Sequence, residues 1–269
     1  MEKLNSLTWW NKYFSKKWES EGGRFQTKKH FEAIIENIPE GIRRGIEKNR
    51  LSIVDVGCAL GDGVYELRRI FGENKIIGVD PSVEAIKKAK NAFPNDVFFA
   101  KKLEDCSERF DVVISSHCLE HFSYPKEIIR NYLSKTNVYF IMLVPFCEET
   151  LIDCHFHTFK ESDFPDQVDD FGLVFKKILP PDLAWDRGTQ VLAVYCNIKY
   201  EKYDSKLIYD CSLADDLARI INKQIRKNKE LEWELNRVVS TKLWKARLFF
   251  AKIRRFVVRV IKKSFGMLG

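Results

Sequence analysis

The chain has 269 residues, 45% hydrophobic and 31% charged, which is enough for one large globular domain with an appendage and too apolar for disorder throughout. Its net charge of +7 is unevenly placed: residues 219–269 hold 15 Lys and Arg against 3 Asp and Glu, leaving 30 against 35 in residues 1–218. Composition excludes collagen-like and small disulfide-scaffold classes and describes an acidic globule with a basic tail.

Residues 1–49 open with an aromatic cluster, Trp9, Trp10, Tyr13, Phe14 and Trp18, followed by a Gly22-Gly23 break and a helical run from about Thr27 to Asn37. Two readings of the cluster stand side by side, a lid over a ligand and a helix whose rings pack on a sheet edge. From 50 to 200, β-branched and aromatic runs alternate with helical patterns, the grammar of a parallel sheet with crossover helices. Seven strands are expected, at 51–56, 75–79, 97–100, 110–115, 138–144, 173–179 and 191–198. Helices are expected at 63–71, 83–92 and 124–133. Pro180, Pro181 and Gly188 fall between the last two strands, where no helical period exists, so an antiparallel finish is the simplest reading.

The remaining segment, 201–269, reads as a helical extension. Its stripe over 212–239 is interrupted by Asn228 and suits either an oligomerising coil or a spacer. From 240 to 269 there are nine Lys and Arg and no acid, interleaved at helical spacing with Leu243, Leu248, Phe249, Ile253, Phe256, Val257, Val260, Ile261 and Phe265. One greasy and one cationic face describe an interfacial helix on an anionic membrane surface, with binding to nucleic acid or to a partner chain as rivals. The nucleic-acid reading is the weaker, because no known module is present and the rest of the chain is net negative. No stretch approaches the roughly 20 consecutive apolar residues that span a bilayer. Seven cysteines without a C-x-x-C pair, and no apolar leader before Thr8, set the expectation of a reducing, cytoplasmic location, peripheral on the inner face of the membrane.

The chemistry concentrates in Ile53-Val54-Asp55-Val56-Gly57-Cys58-Ala59-Leu60-Gly61-Asp62-Gly63, a strand running into a glycine loop that opens a helix. Such a loop admits a ligand to bare backbone and aims helix N–H groups at it. The spacing fits neither the dinucleotide fingerprint nor a phosphate loop. Asp55 and Asp62 would repel a pyrophosphate and suit an ammonium and a sulfonium. A second strand-end acid, Asp80 in Gly78-Val79-Asp80-Pro81-Ser82, is placed to accept from two ribose hydroxyls. Adenosine joined to a cationic amino-acid tail describes S-adenosylmethionine.

With a third segment, Phe110-Asp111-Val112-Val113-Ile114-Ser115-Ser116-His117-Cys118-Leu119-Glu120-His121, the region 50–200 resembles the class I S-adenosylmethionine-dependent methyltransferases. The resemblance implies an α/β fold, a Rossmann-like, seven-stranded, mostly parallel sheet with helices on both faces. It implies that Gly57, Cys58, Ala59 and Gly61 cradle the methionine part, Asp55 its ammonium and Asp80 the ribose. Pro81, Leu103 and Glu104 would meet the nucleoside, and His117 would flank the methionine chain. Lys102 stands where many relatives carry an Asp for the adenine amino group, with Glu104 or Asp105 as substitutes. The pattern from Trp9 to Thr27 looks like the N-terminal cap of a subset that acts on sugars of bacterial surface polysaccharides, and it implies Arg24 as a partner of the cofactor carboxylate.

Methyl transfer from a sulfonium needs alignment and, for a hydroxyl acceptor, a proton acceptor. His121, His155 and His157 lie just beyond the fourth and fifth strands, where open α/β sheets place their pockets. His155 and His157, in Asp153-Cys154-His155-Phe156-His157, are candidate general bases that should point opposite ways. A divalent ion held by Asp153, His155 and His157 is disfavoured, since adjacent ligands lack distant partners, and no metal is expected. The acceptor expected is a sugar of a lipid-linked glycan or sugar nucleotide, methylated on oxygen at the membrane surface, with O- or N-methylation of another small molecule as the enzymatic alternative and a catalytically silent scaffold of a membrane-associated assembly as the non-enzymatic one.

Overall fold

The structure, a computed structural model, describes residues 3–148, 151–181 and 188–200, with Leu231 alone beyond them. The expected oligomerising stripe at 212–239 and the basic helix at 240–269 lie outside the described residues. The chain divides into two units, Met1–Asp210 and Cys211–Gly269.

Three helices open the chain: α1 (Leu7–Lys16), α2 (Gly23–Asn37) and α3 (Glu40–Lys48). Ser6 caps α1 by accepting from the Trp9 N–H. Gly22, at φ 81°, turns the chain into α2 through left-handed backbone that a side chain would disfavour. The sheet then follows: β1 (Ile53–Val56), α4 (Asp62–Ile70), β2 (Ile76–Asp80), α5 (Val83–Ala92), β3 (Val97–Ala100), β4 (Phe110–Ser116), α6 (Pro125–Ser134), β5 (Thr136–Phe146), β6 (Gln167–Val168), β7 (Phe171–Leu179) and β8 (Thr189–Asn197).

Strand order is β3-β2-β1-β4-β5-β8-β7-β6, with β1 to β5 parallel. The expected antiparallel finish is present, because β8 inserts antiparallel between β5 and β7. Eight strands, not seven, make a mixed sheet. The extra one, β6, is a two-residue edge strand paired antiparallel to β7, too short to carry a periodic signal in the sequence.

Alternation sends side chains into two cores. Ile53, Val112, Ile114, Ile141 and Leu143 join Phe31, Ile34, Ile42 and Ile46 of α2 and α3 on one face. Val54, Val56, Val113, Phe140, Met142 and Val144 join Ile129, Tyr132 and Leu133 of α6 on the other. The centre of the sheet is apolar on both faces, as expected of parallel strands covered by helices. Strand order reverses between β1 and β4, so their carboxyl ends bound a crevice. Among the described residues, no helix is long and apolar enough to cross a membrane.

Candidate active site

The turn after β1 is held from beneath. Gly57 and Cys58 both donate to the Val79 carbonyl, and the Ala59 N–H donates to Asp80 Oδ2 at 3.1 Å. Asp80 Oδ1 accepts from the Ser82 N–H at 2.8 Å, so this carboxylate organises both strand-end turns at once. Gly57, at φ 75°, stands where a Cβ would fall 2.8 Å from Cys118 Sγ. Ala59 and His117 also hold positive φ, 45° and 47°, so non-glycine backbone in sparsely populated conformations brackets the crevice.

Asp55 is 1% exposed and its Oδ2 has no hydrogen-bond partner. Burial, then the Asp80 charge, raises its pKa well above the carboxylate range. An unpartnered carboxylate oxygen in the interior is costly, and a cationic or N–H-donating ligand would relieve it. Burial also raises Asp80, to about 6, against the two backbone donors that lower it. Asp62, expected to face the same ligand, instead takes both oxygens to Arg24 Nη1 at 3.0 and 3.2 Å, while Arg24 Nε donates to Glu19 at 3.1 Å. Arg24 therefore already carries two carboxylate partners, and the Asp62 charge expected to suit a cationic ligand is met by Arg24 instead.

Helix α1 lies over this loop. Phe14 is buried with Ala59, Leu60 and Ala85, and Trp10 and Trp18 pack against them. Asn11 Oδ1 accepts from Ser82 Oγ at 2.7 Å and from the Glu84 N–H at 3.3 Å. On the other side of the crevice, Asn5 Nδ2 donates to the carbonyls of His121 and Cys154 at 3.1 and 2.7 Å. The aromatic segment is thus both a helix packed on the fold and a cover over the glycine loop. Leu103 is buried in the second core, so its side chain is not free to meet a nucleoside, whereas Pro81 is exposed and Glu104 half-buried.

Beyond β4 and β5 the histidines gather around a buried acid. Glu120 is fully buried, with His117 Nδ1 3.4 Å and His155 Nε2 4.0 Å from its Oε1. Burial opposes its ionisation, yet the imidazoles of His117, His121 and His155 outweigh burial and hold it at about 2. His117 Nε2 is buried without a hydrogen-bond partner, and its ring stacks on His30 at 3.6 Å. His155 Nδ1 bonds Glu148 at 2.9 Å; burial pulls its pKa down, but the Glu148 bond and the nearby carboxylates raise it overall. His121 is lowered, chiefly by burial. An open groove of about 300 Å³ runs beside it, lined by Lys3, Asn5, Ser6, His121, Phe122 and Phe156.

His157 turns away from this cluster through irregular backbone, since strand alternation would set residues two apart on one face, and its Nε2 sits 3.3 Å from Asp163 Oδ2. That separation also disperses the Asp153, His155, His157 ligand set. His157→Ala is expected to change turnover by less than about twofold, since the side chain acts through a partly exposed surface pair; a loss above tenfold in steady-state rate would return it to the site. Sequence reasoning missed Asn11, His30, Glu120 and Glu148. Only Glu120, inside a recognised segment and one residue from its end, left a signal.

The family described as Methyltransferase domain matches residues 26–173. The mitochondrial ubiquinone biosynthesis O-methyltransferase of Saccharomyces cerevisiae is 30% identical over 118 residues, covering 39% of this chain and 38% of that protein. The protein of the same description from Candida albicans is 26% identical over 122 residues, covering 38% and 37%. The chain thus matches less than two fifths of the length of these curated relatives. Among solved structures, magnesium protoporphyrin IX methyltransferase from Synechocystis PCC 6803 with bound SAM superposes with a TM-score of 0.51 at 15% identity, over 73% of this chain and 99% of that one. At that identity the likeness speaks for the fold.

Proposed function

The chain belongs to the methyltransferase-domain family, and from that premise we propose that it is an S-adenosylmethionine-dependent methyltransferase acting on a hydroxyl oxygen. The observation that carries the reading is Asp55: a buried carboxylate oxygen with no partner, at a glycine loop that opens a helix. Those residues fit a ligand that is cationic at one end and a nucleoside at the other. Asp55 holds the ammonium, the backbone of Gly57, Cys58, Ala59 and Gly61 lines the methionine part, and Asp80 takes the ribose. Pro81, Glu104 and the Leu103 backbone flank the base. The bound cofactor supplies a methyl group already activated on a positively charged sulfur, so the protein's remaining work is alignment and removal of a proton.

His117 is the proton acceptor in this reading. Its Nδ1 faces the Glu120 carboxylate and its buried Nε2 is uncommitted, the arrangement of a base oriented by an acid. The cover formed by α1 excludes water from the crevice. Oxygen as the acceptor atom is supported by the two relatives named as O-methyltransferases. The acceptor itself is amphiphilic, with a lipid-linked sugar the candidate. Exposed Phe156 on the groove, exposed Leu151 and Ile152 in the same loop, and the basic, apolar composition of 240–269 support that choice. By the same composition the enzyme works at the inner membrane face.

The test is incubation of the full chain with methyl-labelled S-adenosylmethionine and, separately, polyprenyl-linked glycans and free phenols. Label in the glycan supports the reading, label in the phenol replaces the acceptor class, and no cofactor binding by the folded protein would point to a scaffold. Cofactor affinity should also depend on pH through Asp80. Its carboxyl ionises near 6 in the free protein, and the hydroxyl-bound form favours the anion, so affinity falls below pH 6 by up to about tenfold per unit. Calorimetric titration at pH 5 and pH 7.5 reads this directly; equal affinity at both would remove Asp80 from the site.

A further inference from the structure

Among the described residues, His121, Cys154 and His155 each offer one ligand atom, and these atoms all lie within 4.8 Å of one another. The two histidines are prepared in the same way. His121 Nδ1 lies 2.9 Å from the Cys154 carbonyl, which can only accept, so that nitrogen carries the proton. His155 Nδ1 lies 2.9 and 3.0 Å from the two oxygens of Glu148, and again is the donor. In both neutral rings this leaves Nε2 as the lone pair. A ligating histidine whose other N–H is fixed by a carbonyl or carboxylate is the usual outer shell of a protein metal site.

Charge points the same way. Glu120, fully buried, brings Oε1 to 4.0 Å from His155 Nε2, and neither of its oxygens makes a well-formed hydrogen bond. A carboxylate enclosed at this depth needs a positive partner. Two imidazole nitrogens and a thiol select a borderline-soft divalent ion, zinc above magnesium or calcium. Zinc bonds of about 2.0–2.3 Å place tetrahedral ligands about 3.5 Å apart, so closing the site takes movements of about 1 Å by side chains on one loop and one turn.

We infer that His121, Cys154 and His155 bind a zinc-class divalent cation, with Glu120 as its buried counter-charge. The site differs from the Asp153, His155, His157 set, because the fold brings His121 from the turn after β4 to the loop after β5. It stands independently of the methyl-transfer reading, since metal content is measured without cofactor or acceptor. Because His121 lines the groove, the ion would sit at its wall.

The experiment uses the purified full chain, folded by circular dichroism, stripped with chelator and titrated with zinc and then cobalt. One equivalent of zinc by mass spectrometric metal analysis is expected, and the cobalt form should show a thiolate-to-metal charge-transfer band in the near ultraviolet. Cys154→Ser should abolish that band and weaken zinc binding at least tenfold, while Cys147→Ser, at an exposed thiol, retains both. Glu148→Gln, which leaves the ligands in place, should weaken binding about 10-fold or more through His155. Absence of stoichiometric uptake by the folded wild type, or an unchanged band in Cys154→Ser, overturns the inference.

Discussion

Asp55→Asn is expected to abolish useful cofactor affinity while leaving the free protein as stable as wild type or more so. Burial and the Asp80 charge raise the Asp55 pKa far above normal, so at neutral pH the fold carries either a desolvated anion or a bound proton. A neutral amide of the same shape removes that penalty. The cationic ligand, in contrast, loses a charge-assisted contact of about 2–3 kcal/mol, roughly 30- to 150-fold in affinity. Thermal unfolding of the free protein and calorimetry with S-adenosylmethionine read the two halves separately. A lower melting temperature together with undiminished affinity would show that Asp55 serves the fold alone.

Gly63→Ala should damage both stability and binding. A Cβ there falls 2.3 Å from Phe31 Cε2 and 2.6 Å from Asp55 Oδ2, one clash with the core and one with the carboxylate. Overpacking of this kind costs about 1–3 kcal/mol, which in a domain of this size lowers the melting temperature by several degrees. The two clashes are separable. Adding Phe31→Leu removes the ring atoms and should recover part of the melting temperature, whereas Asp55 stays displaced and affinity stays low. Full recovery of affinity in the double variant would show that Gly63 does not set the carboxylate's position.

The contrast between those two neighbours of Gly63 shows what the sequence can and cannot disclose. Asp55 was legible because a strand end, a glycine loop and a helix start are all local, and their periodicities change within eleven residues. The five parallel strands were legible for the same reason: each is a short β-branched or aromatic run between turn signals. The edge strand β6, at two residues, has no period to read. Helix α3 hid in Glu40–Lys48, where a charged sequence leaves only Ile42 and Ile46 to face the core.

The histidine cluster was legible only in part: the sequence set His121, His155 and His157 beyond the fourth and fifth strands but not which side chains meet there. His121, His155 and Glu148 come from two loops, and their meeting depends on β4 and β5 being adjacent and parallel, so that both chain ends leave on the same side. Spacing along the chain carries no trace of that. It favoured the neighbours His155 and His157, which the irregular backbone of their loop sends to different partners. Arg24, expected as a partner of the cofactor carboxylate, meets Glu19 and Asp62, five and 38 residues away along the chain.

The N-terminal segment touches both banks of the crevice through asparagines, Asn5 just before the first helix on one side and Asn11 within it on the other. Neutral amides grip by dipoles, so mobile ions have nothing to shield. Brine that dissolves a surface pair such as Lys17 with Glu21, or weakens the Lys88 and Glu19 pair that also ties this segment to α5, would leave the two amide contacts themselves in place.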